Sequence, residues 1–280
     1  MRSELLRRGE RTAGRYEAIT VCCESALWVG FSCMHLLDQP QAGRVYDARR
    51  PGVLLKVVRP ELVRAPGTCD RLVRELRRIQ ALEHPGLVPL VDVQLFERQK
   101  TVILVDSSTT SPSDRVLPSW SPIGTETFAT EETHKVMMEL AAVLGYLHER
   151  GVCHGDVRPQ TLLWAQSGST LRDLGLATSL PRADYLNAIK CHDDPALLAP
   201  EVRDGLEPDS RTDVFAVAAM YQDILVSACH QEGTTPQRKY PVLAQVLNRS
   251  LHNDPTQRYQ SGAALYSALA GALTGWGRIR

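Results

Sequence analysis

The chain has 280 residues, 43% of them hydrophobic and 23% charged, which suffices for one large domain or two modest lobes with a real core. Its 32 Lys and Arg residues are balanced by 32 Asp and Glu residues, so no overall charge favours nucleic acid or an anionic membrane as a partner. No apolar run comes near the roughly 18 residues that cross a bilayer, and the charged N-terminus lacks the apolar segment of a secretory signal.

The first part of the chain is predicted to be rich in strands. Short segments of Val, Ile, Leu and aromatic residues recur there, and the turn-forming sequences QPQAG and RRPG separate the second from the third. In chain order the predicted strands are EAITVCCE, WVGFSCMHLL, GVLLKVV, LVPLVDVQLF and TVILVD.

One helix is predicted among these strands, within CDRLVRELRRIQALEH. Leu72, Leu76, Ile79 and Leu82 recur at helical spacing, with Arg and Glu on the opposite face. The HPG sequence that begins at His84 is predicted to end the helix.

The chain changes character after residue 106. The stretch 107–124 is dense in Ser, Thr and Pro and is predicted to be a connector, and Pro181 to Pro200 is interpreted as an irregular polar stretch. The predicted helices after the connector are EETHKVMMELAAVLGYLHER, TDVFAVAAMYQDILVSA, YPVLAQVLNRSLH and SGAALYSALAGAL. We therefore expect a tail (1–15), a β-rich lobe (16–106), the connector (107–124) and a helical lobe (125–280), with a cleft between the lobes.

Seven short motifs occur along the chain. They are VLLKVV with Lys56, RLVRELRRI with Glu75, HGDVRPQT with Asp156, RDLGLA with Asp173, LAPE with Glu201, TDVFA with Asp213 and NDPTQR with Arg258. In this order they resemble the eukaryotic-type (Hanks-type) protein kinases, most closely the bacterial Ser/Thr members, from about Leu36 to about Leu269. The resemblance implies an α+β, bilobal protein-kinase-like fold, with a β-rich N-lobe and a helical C-lobe around a cleft.

The resemblance also implies roles for individual residues. Lys56 would hold the α- and β-phosphates of ATP and pair with Glu75. Asp156 would orient the substrate hydroxyl and accept its proton, and Arg158 would replace the usual Lys as a cation near the phosphate. Asp173 would hold Mg²⁺. Further nucleotide contacts are implied for Gly43, Val45, Asp106 and Leu163.

Three motif residues are expected to be architectural. Glu201 and Arg258 are predicted to form an ion pair inside the helical lobe. Asp213 is predicted to accept hydrogen bonds from backbone N–H groups of the catalytic loop.

The nucleotide side of the chain departs from the family. Asp38 and Pro40 stand where the family has glycines, and only Gly43 keeps one. Glycines let backbone N–H groups approach the phosphates, whereas Pro40 removes an N–H group and Asp38 brings negative charge. Leu54 replaces a small residue against adenine, where a packed site has little room. A rival alignment, with the loop at CESALWVG, has no glycine triad either.

The metal position departs as well. Thr161 stands where the family has a metal-binding Asn, and a hydroxyl on a shorter arm is a poorer Mg²⁺ ligand. Arg172 precedes Asp173, and its guanidinium either pairs with Asp173 in the place of the metal or contacts phosphate. The sequence leaves both roles open.

The substrate side shows two further departures. Gly155 replaces an arginine that many family members use to grip a phosphorylated activation loop. Asp193 and Asp194 stand where the family has Gly-Thr, and a carboxylate there would repel Asp156.

We therefore expect a pseudokinase or a very weak kinase that acts as a regulatory or binding module with impaired nucleotide binding. Positioning and charge stabilisation supply almost all of this catalysis, so partial losses compound. The alternatives are an active Ser/Thr kinase that transfers the ATP γ-phosphate to protein hydroxyls, and a nucleotide-binding switch without catalysis. ATP and Mg²⁺ are the implied cofactors, and a protein is the expected partner. Seven scattered cysteines without zinc spacing predict reduced thiols in the cytoplasm.

Overall fold

The computed structural model describes residues 11–12, 16–35, 53–96, 100–106, 115–116, 130–165, 168–189 and 198–274. The chain divides into two compact units. The sheet unit comprises residues 1–83, 88–111 and 179–192, and the helical unit comprises residues 84–87, 112–178 and 193–280.

Strands dominate the first unit and helices the second. The strands are β1 (Arg11–Thr12), β2 (Tyr16–Glu24), β3 (Trp28–His35), β4 (Val53–Val58), β5 (Leu90–Phe96), β6 (Thr101–Asp106), β7 (Arg115–Val116), β8 (Leu162–Ala165) and β9 (Gly168–Leu171). The α-helices are α1 (Thr68–Ile79), α2 (Thr130–Glu149), α3 (Leu176–Ser179), α4 (Arg182–Ile189), α5 (Pro200–Arg203), α6 (Ser210–Gln231), α7 (Pro236–Lys239), α8 (Pro241–Ser250) and α9 (Gly262–Leu273).

The sheet unit is built on a six-stranded antiparallel sheet in the order β1-β2-β3-β4-β6-β5. The five strands predicted from the sequence in this unit are confirmed as β2 to β6. β4 lies inside the sheet, where Lys56 is opposite Gly30 on one side and Leu104 on the other. The strand that carries Lys56 is therefore fixed by hydrogen bonds along both edges.

Helix α1 packs against β5 and β6. Leu72, Leu76 and Ile79 are buried, as their helical spacing predicted. The prediction that the helix continues to the HPG sequence is wrong, because α1 ends at Ile79. The Leu82 N–H then donates to the Ile79 carbonyl in a turn, so the apolar spacing outlasts the helix.

Helix α4 lies in the stretch that was predicted to be irregular, so that prediction is wrong for Arg182–Ile189, while residues 190–197 lie outside the described residues. Tyr185 and Ile189, one turn apart, are both buried and give α4 an apolar face. α4 contacts the 3-10 helix Pro60–Val63 of the same unit. Just before α4, the carbonyl of Ser179 accepts a hydrogen bond of 3.0 Å from Arg71 Nε on α1. This segment is therefore tied to the sheet unit.

In the helical unit, α2 packs against α6 and α9. Gly145 and Gly262 permit a close approach of α2 and α9, since a Cβ on Gly262 would lie 2.4 Å from the backbone nitrogen of Gly145. The Gly262 N–H donates to Nδ1 of His148 at 2.9 Å, which leaves the ring proton of His148 on Nε2. The predicted helices of this half are confirmed as α2, α6, α8 and α9, and β7, β8 and β9 form a small sheet beside them.

Helix α6 is long and apolar enough to cross a membrane by length and composition, with a mean hydropathy of 1.2. Of its apolar window, 61% is buried inside the structure, and Val214, Val217 and Tyr221 are excluded from solvent. Such burial is typical of a core helix of a globular domain, and core helices also meet these criteria of length and composition. Among the described residues, α6 is the one helix that meets them.

Candidate active site

The 154–161 loop is held by Asp213 of α6. Asp213 is buried, and its two carboxylate oxygens accept hydrogen bonds of 2.8 Å from the backbone N–H groups of His154 and Gly155. His148 adds a bond of 2.9 Å from Nε2 to the same carboxylate. Burial alone would raise the pKa of Asp213, but the hydrogen bonds from His148 and from the loop N–H groups hold it below its ordinary value. The prediction that Asp213 accepts these backbone donors is confirmed.

His154 connects the loop to the residues that precede α3. Its Nδ1 accepts the N–H of Asp156 at 3.2 Å, so Nε2 donates to the carbonyl of Arg172, 3.0 Å away. The Arg172 N–H donates in turn to the carbonyl of Thr161 at 2.9 Å. The loop and Arg172 therefore form one hydrogen-bonded framework. This role of His154 was not predicted from the sequence, although the HGD tripeptide places His154 two residues before the assigned base.

Asp156 and Arg158 lie side by side in the loop. Arg158 Nε is 3.1 Å from Oδ1 of Asp156, and the two side chains are 11% and 3% exposed. The two residues to which the resemblance assigns catalysis thus form a largely buried ion pair.

The hydroxyl of Thr161 is engaged within the loop. Its Oγ1 accepts a bond of 3.1 Å from the Arg158 N–H. It donates toward the carbonyls of Asp156 and Arg158, which are 3.0 and 2.9 Å away. Thr161 is 1% exposed. Its proton and one lone pair are therefore used to shape the turn Pro159–Thr161.

The guanidinium of Arg172 folds back onto the loop. Its Nε and Nη2 donate to the carbonyl oxygen of Gln160 at 3.0 and 2.8 Å, and Nε lies 3.8 Å from Oδ2 of Asp173. Asp173 has a φ of 66°, a left-handed conformation that non-glycine residues rarely adopt. Of the two roles left open for Arg172, the geometry matches pairing with Asp173. No sequence pattern indicates the bond to Gln160, because its acceptor is a backbone carbonyl.

Lys56 and Glu75 lie in the sheet unit. Lys56 is 1% exposed, and its ammonium lies 4.7 Å from the centroid of the Trp28 ring, within cation–π range. Glu75 accepts hydrogen bonds of 3.2 and 2.7 Å from Nε and Nη2 of Arg78, one turn further along α1. The contacts described for the Glu75 carboxylate are therefore on its own helix. Trp28 could not be recognised from the sequence as a site residue, because an aromatic residue in a strand is typical of any core.

The remaining assigned positions fall into two groups. Leu54 is 3% exposed on β4 and pairs in register with Asp106 at the end of β6, and Leu163 is half-buried on β8. The other positions lie outside the described residues; they are Asp38, Pro40, Gly43, Val45, Asp193 and Asp194.

Gly155 leaves no room for a side chain. Its φ is 73°, and a Cβ there would lie 2.9 Å from Cγ of Pro208 and 3.1 Å from Cγ2 of Thr178. A small, open pocket lies beside it. The walls of the pocket include Asp156, Arg158, Leu198, Ala199, Val202 and Ala216. Asp156 thus borders a concave and mainly apolar space within the helical unit.

The similarity of this chain to known proteins agrees with the motifs and the geometry described for this site. The family model of the protein kinase domain matches residues 39–260. The serine/threonine-protein kinase STK11 of Gallus gallus is 26% identical over 250 residues, which cover 80% of this chain and 56% of the relative. The serine/threonine-protein kinase PknJ of Mycobacterium tuberculosis is 25% identical over 282 residues, which cover 89% and 46%. The chain spans about half the length of the curated relatives it matches.

A crystal structure of the Mycobacterium tuberculosis PknI kinase domain aligns with a TM-score of 0.68 at 20% identity, over 95% of this chain and 99% of that chain. A small sheet lobe and a helical lobe that carry these motifs define a protein-kinase-like fold. The chain belongs to the protein kinase domain family. The expected fold class and the resemblance to Hanks-type kinases are confirmed.

Proposed function

We propose that this chain is a regulatory or binding module of the protein kinase family with little or no phosphoryl transfer, either a pseudokinase or a very weak kinase. The arrangement at Lys56 and Glu75 carries the proposal. In the family's reaction this lysine holds the phosphates and pairs with this glutamate. Here the Lys56 ammonium lies over the Trp28 ring, and the Glu75 carboxylate bonds to Arg78 of its own helix. Because the reaction depends on positioning, loss of one such contact costs on the order of 10²-fold in rate.

The proposed ligand of the module is a protein, and the proposed location is the cytoplasm. Cys69, Cys153 and Cys229 are free thiols, which fits a reducing compartment. Family members generally use ATP and Mg²⁺, and the site residues of this chain support only impaired use of them.

Transfer of labelled γ-phosphate tests the proposal. The full chain is incubated with ATP and Mg²⁺ or Mn²⁺, alone and with a basic acceptor protein, beside an active bacterial Ser/Thr kinase domain. We expect incorporation at least about 10²-fold below that of the active domain. Asp156→Asn is the matched control, because signal that persists in it does not come from this site.

An active Ser/Thr kinase is the second candidate. The largely buried pair of Asp156 with Arg158 and the names of the relatives favour it. Transfer at the level of the active domain that disappears in Asp156→Asn would establish it. A rise of the unfolding temperature with ATP in the absence of transfer would instead favour the nucleotide-binding switch.

A further inference from the structure

Arg172 is fixed to the 154–161 loop at three points. Its N–H donates to the carbonyl of Thr161, its own carbonyl accepts from His154, and its guanidinium donates twice to the carbonyl of Gln160. The side chain is 11% exposed. The position of this cation is therefore set by the same framework that holds the loop.

The anchored guanidinium lies beside the carboxylate to which the family resemblance assigns Mg²⁺. Its Nε is 3.8 Å from Oδ2 of Asp173, whose side chain is 6% exposed. Charges that are shielded from water at this separation interact more strongly than on an open surface. A divalent ion bound to Asp173 would be repelled by the guanidinium at close range.

Thr161 stands at the position of the family's second metal ligand, an Asn, and is not a chemical equivalent of it. Mg²⁺ requires oxygen ligands in near-octahedral geometry. The Thr161 hydroxyl is buried and bonded to the loop backbone, so it does not offer such a ligand. The residues present do not fit the Mg²⁺ site of the family.

We propose that the guanidinium of Arg172 is the resident cation of this site. It neutralises Asp173 permanently and excludes divalent metal ions from the carboxylate. This inference goes beyond the proposed function, because metal exclusion is measured without nucleotide, phosphoryl transfer or partner.

Binding of Mn²⁺ to the full chain tests the proposal. The electron paramagnetic resonance signal of free Mn²⁺ falls when the ion binds, and the unfolding temperature gives a second readout. We expect no Asp173-dependent binding in the wild type. Arg172→Met, which removes the charge and adds no ligand, should bind Mn²⁺ at least about tenfold more tightly. Arg172→Lys keeps the charge and should bind no more tightly than the wild type.

Asp173→Asn in each background identifies the site. Gain of binding in Arg172→Met that is lost in the double variant supports the proposal. Wild-type binding that is lost in Asp173→Asn overturns it, even if Arg172→Met fails to fold. Absence of Asp173-dependent binding in a folded double variant, Arg172→Met with Thr161→Asn, which restores an amide ligand, also overturns it, because the guanidinium would then not be the group that excludes the ion. Robust phosphoryl transfer that depends on Asp173 would contradict both the proposed function and this inference, whereas Mn²⁺ binding to Asp173 of the wild type without transfer would contradict this inference alone.

Discussion

Arg258 and Glu201 form a two-pronged ion pair in the helical unit, with Nη1–Oε1 and Nη2–Oε2 distances of 2.8 Å each. Arg258 is fully excluded from solvent, and all five of its N–H groups are used. The three that remain donate to the carbonyls of His252, Arg211 and Asn253. Burial opposes ionisation of Glu201, yet the bonds from Arg258 lower its pKa. The ion pair predicted from the motifs is confirmed.

Removal of Glu201 should be strongly destabilising, because it leaves a buried guanidinium without its counter-charge. We expect Glu201→Ala to lower the free energy of unfolding by about 3 to 5 kcal/mol in urea titrations. Glu232→Ala removes the partner of the more exposed Lys239 and should cost about 1 kcal/mol or less. Equal effects of the two substitutions would contradict this account.

The contact of α2 with α9 predicts opposite effects for two glycines of one helix. At Gly262 a Cβ would meet the Gly145 nitrogen at 2.4 Å and the Ala141 carbonyl at 2.7 Å, both of them backbone atoms. Gly262→Ala should therefore destabilise the protein by about 1 to 3 kcal/mol. At Gly271 a Cβ has open space, so Gly271→Ala should be neutral or stabilise α9 by about 0.5 to 1 kcal/mol. Thermal unfolding midpoints of the two variants give the comparison.

The buried His134 predicts a loss of stability in weak acid. Burial lowers its pKa from 6.5 to about 4, the Lys239 charge acts in the same direction, and Glu131 opposes them. Because the folded-state pKa is depressed, the unfolded chain takes up the proton first, and stability falls as the pH drops from 6.5 towards 4. Between about pH 7.5 and about pH 5 we expect a loss of about 2 kcal/mol from this group.

The substitution His134→Gln isolates that contribution. Urea titrations at both pH values should show a smaller pH dependence in this variant than in the wild type. His230 lies exposed on α6, so His230→Gln should leave the dependence unchanged. An unaltered pH dependence in His134→Gln would assign the effect to other groups.

The carboxylate of Asp213 predicts a large cost for a nearly isosteric change. An amide offers one acceptor oxygen, whereas the carboxylate serves the N–H groups of His154 and Gly155 and Nε2 of His148. Asp213→Asn should lower the free energy of unfolding by about 2 to 4 kcal/mol. Asp204→Asn, on the exposed side of the unit, should change it by less than about 0.5 kcal/mol. A similarly small effect at Asp213 would show that the loop does not depend on this carboxylate.

The family resemblance, carried by the motifs, predicted the ion pair of Glu201 with Arg258 and the role of Asp213. The sequence left two roles open for Arg172, because its acceptor on Gln160 is a backbone carbonyl, which every residue type provides. For the same reason, the hydrogen bonds of the Thr161 hydroxyl to backbone carbonyls of the loop could not be predicted from the sequence.

Element type was easier to predict than element ends. The apolar spacing predicted α1, but the spacing continues to Leu82, whereas the last helical residue is Ile79. The helix α4 was missed because its buried face consists mainly of Tyr185 and Ile189, within a stretch whose composition is polar. Tertiary contacts decide whether such short helices form, since local propensity alone does not stabilise them.

The chain passes from the helical unit to the sheet unit between Thr178 and Ser179, only five residues after Asp173. The backbone that follows the site is therefore anchored, through Arg71 and α4, to the unit that also contains Lys56. Native-state hydrogen exchange should group the amides of α4 with those of β4 and β6, and not with those of α2. A partner that stabilises or loosens the sheet would then act on the segment beside Asp173 through the covalent chain itself.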